Sequence, residues 1–157
     1  ALGFGDVPEM AGTGRRVAAL LESFQPRPLP PVSVLPTSSS DLIIVRDLPF
    51  VSLCAHHLAP FFGTCSLAYR PAGRIGGFGW FGRVLEALSR QPQLQERLAA
   101  QLVDTLMEQL APQSAGVWLR ARQMCVELQP HGRTSTFELL AVRGTEDPEL
   151  SALLRGR

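Results

Sequence analysis

The sequence contains no lysine, and all fifteen of its basic residues are arginine. A cation missing from an expected place is therefore a real loss of charge wherever arginine could have served. Net charge is also nearly absent, at +1, so bulk electrostatics offer nothing to nucleic acid or to an anionic membrane. No apolar run approaches the 18 or so residues that a membrane-crossing helix needs, and no secretory h-region is visible; both point to the cytoplasm. Cysteine is scarce and odd in number, with Cys54, Cys65 and Cys125 alone, which excludes a disulfide framework and leaves metal binding or catalysis as the use of any special thiol. The 157 residues suffice for one domain with a substantial core, and 45% apolar against 18% charged residues argues against disorder.

Histidine is the next scarcity. The chain has three, and two fall in Cys54-Ala55-His56-His57, between an apolar run and the turn at Pro60. Cys54 and His57, three apart, can face one point and offer a borderline-soft cation a sulfur and a nitrogen. His56 is then free for proton transfer near neutral pH. A lone C-x-x-H is equally compatible with a buried thiol beside incidental histidines. Concentrating two of three histidines here favours the functional reading.

In chain order, a Gly-rich opening over 1–12 precedes a helix capped by Thr13, with Val17, Leu20, Leu21 and Phe24 on one face. Residues 25–40 carry five prolines and a Thr-Ser-Ser-Ser run, predicting a linker without regular structure and an N-terminal helix that packs away from its own core. Residues 1–40 thus form an arm, and 41–157 the main domain. A short strand over Leu42–Arg46 stops at Asp47-Leu48-Pro49, and a second covers Gly63–Arg70, where Cys65 alternates in phase with Leu67 and Tyr69 as a packed wall residue. The glycine-dense stretch 76–83 does not form a G-x-G-x-x-G loop after a strand and is not read as a dinucleotide site. Helices follow over Arg83–Arg90 and from Pro92 onward, the latter with leucine at 94, 98, 102, 106 and 110. A long strand over Gly116–Leu128 turns at 129–132 into a partner over Thr134–Arg143, and a brief helix starts at Pro148. The order predicts an α+β domain, an antiparallel four-stranded sheet with two helices on one face, whose open edges invite other subunits.

Several motifs carry a resemblance: Cys54-Ala55-His56-His57-Leu58-Ala59-Pro60-Phe61-Phe62-Gly63, Ala68-Tyr69-Arg70-Pro71, Gln91-Pro92-Gln93-Leu94-Gln95-Glu96-Arg97-Leu98, Met124-Cys125, Thr134-Ser135-Thr136 and the early Thr13-Gly14-Arg15-Arg16-Val17-Ala18. Together they resemble the GTP cyclohydrolase I family over nearly the whole chain. The resemblance implies the tunnelling fold, a ββααββ unit assembled as stacked rings into a high homo-oligomer with active sites between subunits. It implies a catalytic Zn2+ held by Cys54, His57 and Cys125, with a fourth position for water that attacks C8 of a purine. It places His56 as the proton-handling histidine of ring opening and Glu96, preceded by Gln95, as the acid that grips guanine N–H groups, with His57 bordering the substrate as well.

Where the family has an acid, this chain has Ala55, and Gln123 replaces a second catalytic-site histidine. At the triphosphate pocket Arg16 and Arg83 match, but Gly79-Trp80, Gln129 and Ala19 stand where cations are expected, and Trp80 is predicted to lay its ring there instead. At roughly 1.5–3 kcal/mol per charge-assisted hydrogen bond, three lost cations remove about 4–9 kcal/mol of phosphate binding, a thousandfold or more. The resemblance thus implies a zinc-dependent hydrolase acting on a small purine or pterin with altered phosphate recognition. The alternative is a catalytically silent purine- or pterin-binding paralogue. A purely structural zinc is the weakest reading, since three ligands leave the metal open.

Overall fold

The computed structural model describes residues 7–156, so residues 1–6 of the expected opening segment lie outside the described residues. Helix α1 (Thr13–Glu22) starts after Gly12, whose positive φ of 73° suits glycine. Thr13 is therefore the first helical residue and not the cap, and its hydroxyl accepts from Arg16 Nη2 at 2.7 Å. No residue of α1 is buried, and Val17 and Leu20 are 46% and 59% exposed, so the helix lies off the core as its surroundings predict. Phe24 anchors the end of this segment under the Arg90 guanidinium, 5.0 Å from its ring.

The proline-rich stretch is not wholly irregular: Val34–Pro36 forms β1. The strand expected to stop at Asp47 instead runs on as β2 (Ile43–Cys54). Asp47 becomes a bulge with φ 56°, shifting register between Val45 and Leu48 and donating its N–H to Ser66 Oγ at 3.2 Å. Pro49 is tolerated because β2 has no partner on that side until Leu53. The bulge matters for function, since the continued strand ends on Cys54.

Next come β3 (Pro60–Arg70), with Cys65 fully buried as expected, and β4 (Arg74–Gly76), which pairs with β1. Helix α2 (Phe78–Ser89) begins five residues before its predicted start. Its two glycines each cost about 1 kcal/mol of helix propensity, and burial of Trp80, Phe81, Val84 and Leu85 offsets that. Pro92 does not open a helix: Pro92–Gln93 is β5, parallel to the end of β2, and α3 (Gln95–Leu110) starts after it. The leucine ladder at 98, 102, 106 and 110 is buried, and Ala111, with φ 46°, ends the helix before Pro112.

Strand β6 (Ser114–Gln123) is shorter than predicted because the chain coils into the single helical turn α4 (Met124–Glu127) before returning as β7 (Thr136–Gly144) and ending in α5 (Pro148–Leu154). The sheet order is β5-β2-β3-β6-β7, antiparallel except at β5. Helices α2 and α3 cover one face over a core that includes Tyr69, Phe61, Leu67 and Leu119. The opposite face carries α5 at one end, where Leu150 and Leu154 pack on Ala68, Trp118 and Leu140. Gly116 makes that docking possible, since a Cβ there would come 2.5 Å from Leu150 Cδ2. The α+β unit stands as read, with β5 and the β1–β4 ribbon added.

Candidate functional site

Cys54 ends β2 and a tight turn follows at once. Leu58, with φ 51°, returns its N–H to Cys54 O at 2.8 Å, while Cys54 N donates to Ala59 O at 2.8 Å. The turn curls His57 back, so that Nδ1 lies 3.7 Å from Cys54 Sγ. Cys125 arrives from across the sheet on α4, not on a strand as predicted. The ligand atoms of Cys54, His57 and Cys125 all fall within 4.8 Å of one another. The Cys125 thiol is pushed above its ordinary range first by burial and then by the neighbouring Cys54. Two thiols and an imidazole suit a borderline-soft ion such as Zn2+, and three ligands leave it an open position.

This trio opens on a cleft of about 310 Å3. His56 lines it, exposed, its ring edge-on to that of His57 at 6.1 Å. Glu96, in the first turn of α3, presents an exposed carboxylate to the same space. The neighbouring Gln95 behaves differently from the expectation. It is 6% exposed, its Nε2 donates to Phe137 O at 3.1 Å, and its Oε1 accepts from Gln123 Nε2 at 2.8 Å. Its carboxamide is thus committed to protein partners, because its helix position points it between β6 and β7 and not outward.

The remaining expected binders lie elsewhere. Trp80, expected to lay its ring where the family has a cation, is instead fully buried in the α2 face of the core, its Nε1 donating to Pro30 O at 3.1 Å, so it presents no ring to a ligand. Arg16 turns back on its own helix start, donating to Ala11 O, Glu9 O and Thr13 Oγ1. Arg83 is exposed on α2, away from the cleft lining. Arg122 pairs in bidentate fashion with Glu127 at 2.6 and 3.0 Å, which holds its charge and depresses that carboxyl. Among the described residues, two carboxylates, Glu96 and Glu138, and no arginine line the cleft.

One positioning residue escaped the sequence. Gln93, on β5, donates through Nε2 to Leu88 O and to Gln101 Oε1, and its backbone oxygen accepts from Ala55 N at 3.0 Å. It ties the α2–α3 junction to the turn that carries the ligands. Gln93 stands within the motif 91–98 that carries the resemblance, but among so many glutamines the pattern alone gives it no separate role.

The family model of GTP cyclohydrolase I matches residues 6–151. GTP cyclohydrolase 1 of Janthinobacterium sp. (strain Marseille) is 48% identical over 105 residues, which cover 64% of this chain and 53% of that protein. GTP cyclohydrolase 1 of Clostridioides difficile (strain 630) is 35% identical over 162 aligned positions, covering 94% and 84% respectively. The chain thus spans about half the length of the first of these relatives. In backbone, the apo archaeosine synthase QueF-Like superposes with a TM-score of 0.53 at 19% identity, over 71% of this chain and 100% of that one, a likeness of fold alone. With the tunnelling-fold topology, the clustered Cys-His-Cys ligands and a family match across nearly the whole length, the chain belongs to the GTP cyclohydrolase I family.

Proposed function

We propose that the protein is a zinc-dependent hydrolase that opens the imidazole ring at C8 of a guanine-type purine, with weakened recognition of phosphate. The observation that carries this reading is the convergence of Cys54, His57 and Cys125 at the mouth of a cleft that also holds His56 and Glu96. A zinc ion held there supplies a water acidic enough to act as a nucleophile near neutral pH. Glu96 accepts paired hydrogen bonds from the N–H groups of a guanine edge and fixes the base. His56, exposed beside the ligands, moves protons to and from the opening ring.

Phosphate recognition is the altered part. The cleft wall carries carboxylates without arginine, and Arg120 and Arg122 are already paired with Glu138 and Glu127. Arg16 and Arg83 can contribute only from another subunit, so we place the active site between chains of a cytoplasmic homo-oligomer, with residues 1–40 as an interchain arm and 41–157 as the catalytic unit. No described helix is long and apolar enough to cross a membrane. The second reading, a silent purine- or pterin-binding paralogue, is favoured by Ala55 and Gln123 and opposed by the intact ligand trio.

Steady-state turnover of GTP, GMP, guanosine and guanine by the zinc-loaded protein, followed by loss of the purine ultraviolet band, separates these readings. We expect kcat/KM for guanosine to equal or exceed that for GTP. Saturation by GTP at micromolar levels would refute the altered pocket, and inertness toward all four would leave the binding paralogue.

A further inference from the structure

Gln123 is the last residue of β6, at the point where the strand yields to α4. The orientation of a carboxamide is ordinarily ambiguous between two flips. Here it is imposed from a distance. Phe137 O on β7 accepts from Gln95 Nε2 at 3.1 Å, and Leu119 O on β6 lies 3.5 Å from the same nitrogen. Backbone carbonyls only accept, so Gln95 must direct its NH2 toward the strands and its oxygen toward Gln123. Gln123 must in turn give its NH2 to Gln95 at 2.8 Å and turn its own oxygen the other way. That oxygen stands 4.0 Å from Cys125 Sγ, on the ligand side of the cleft.

The result is an acceptor of fixed polarity at the mouth of the cation site. Among the described residues its one protein partner is the Cys125 thiol, at the 4.0 Å limit of a sulfur contact, so the oxygen stands open to a donor in the cleft. A part-buried acceptor left without a donor is costly, so the donor must come from what fills the cleft. Glu96 already offers acceptors to a purine edge from the α3 end. Within the hydrolytic reading, a water brought to the ligands beside Cys125 supplies such a donor.

We propose that Gln123 is a water-positioning residue, whose Oε1, aimed by the Phe137–Gln95–Gln123 relay, accepts a hydrogen bond from the water that attacks the purine. It orients that water without taking its proton, which is left to His56. This role rests on the hydrolytic reading of the site. A carboxamide does not titrate, so the relay keeps one polarity at every pH where the protein is folded.

The test has two independent readouts. In zinc-loaded protein labelled with 15N-glutamine, the side-chain amide hydrogens of Gln95 and Gln123 should exchange far more slowly than those of exposed Gln25. In turnover of guanosine or GTP, Gln123→Met should lower kcat about a hundredfold with KM held within about twofold, as misorientation of a reactant does. Gln95→Met, which removes the group that aims Gln123, should cause a similar loss, and the double variant should be no worse than either single one. If Gln95→Met does not fold, exchange and Gln123→Met decide the matter. Amides exchanging as fast as those of Gln25, or Gln123→Met raising KM with kcat unchanged, would overturn the role while leaving the enzyme a hydrolase. A wild type inert toward all purines would overturn the hydrolytic reading and this role with it.

Discussion

The three cysteines occupy environments that chemistry can tell apart. Cys65 lies fully buried on the helix-covered face of β3, and burial pushes its thiol up to about 12. Cys54 and Cys125 share the candidate cation site. Metal removal should therefore expose two thiols and never the third. Native protein treated with chelator and iodoacetamide should gain two adducts, mapping to Cys54 and Cys125, with Cys65 modified only after unfolding; zinc should protect the pair. Modification of Cys65 at the rate of the others would refute this assignment. The alternation around Cys65 was legible because a strand's period is local. So was the Cys54–His57 pair, since a three-residue spacing closes within one turn. Cys125 is distant in sequence, and only the family resemblance joined it to them. Trp80 was expected at the pocket because it stands where the family has a cation, whereas the face of α2 that it occupies turns into the core.

At the scale of elements, the sequence reveals periodicity better than punctuation. The α3 leucine ladder and the alternation of β3 were readable, but Asp47-Leu48-Pro49 looked like a stop and is a bulge, and Pro92 looked like a helix start and is a strand. Both depend on which strand edge lies free, a tertiary fact. Helix α5 shows how one carboxylate can secure an element. Asp147 caps it by accepting from Leu150 N at 3.0 Å, and also takes Arg70 Nε at 2.8 Å and Ser114 Oγ at 3.0 Å. The Arg70 hydrogen bond, ahead of the cap and Ser114, holds the Asp147 carboxyl below its ordinary value near 3.8. The unfolded chain then binds this proton more readily than the folded one. Its contribution to stability is complete above the ordinary carboxyl range and is lost as pH falls through the lower folded value. Asp147→Asn, which keeps an N-cap acceptor but loses the charge facing Arg70, should cost about 1 kcal/mol at neutral pH and flatten the acid limb of stability, measured by urea melts across pH. An unchanged acid limb would mean that other carboxylates govern it.

For the whole molecule, the isolated chain leaves too much apolar surface unexplained. Leu128 and Phe78 are 76% and 75% exposed, α1 buries nothing, and β7 presents an open edge. A ten-residue helix is marginal alone in water, so α1 needs a surface to lie on. The cations matched to the phosphate pocket, Arg16 and Arg83, also stand away from the cleft of their own chain. One arrangement answers both facts: copies of the chain packed so that α1 covers a neighbour and brings charge toward its cleft. All three candidate ligands, by contrast, come from a single chain. Assembly and metal binding should therefore separate. Sedimentation should give a species many times the 17.1 kDa of one chain. Leu20→Glu, placing a charge on the exposed face of α1, should shift it to smaller species and reduce turnover in step, while zinc per chain stays the same. A monomeric wild type at concentrations that support turnover would show instead that one chain completes the site unaided.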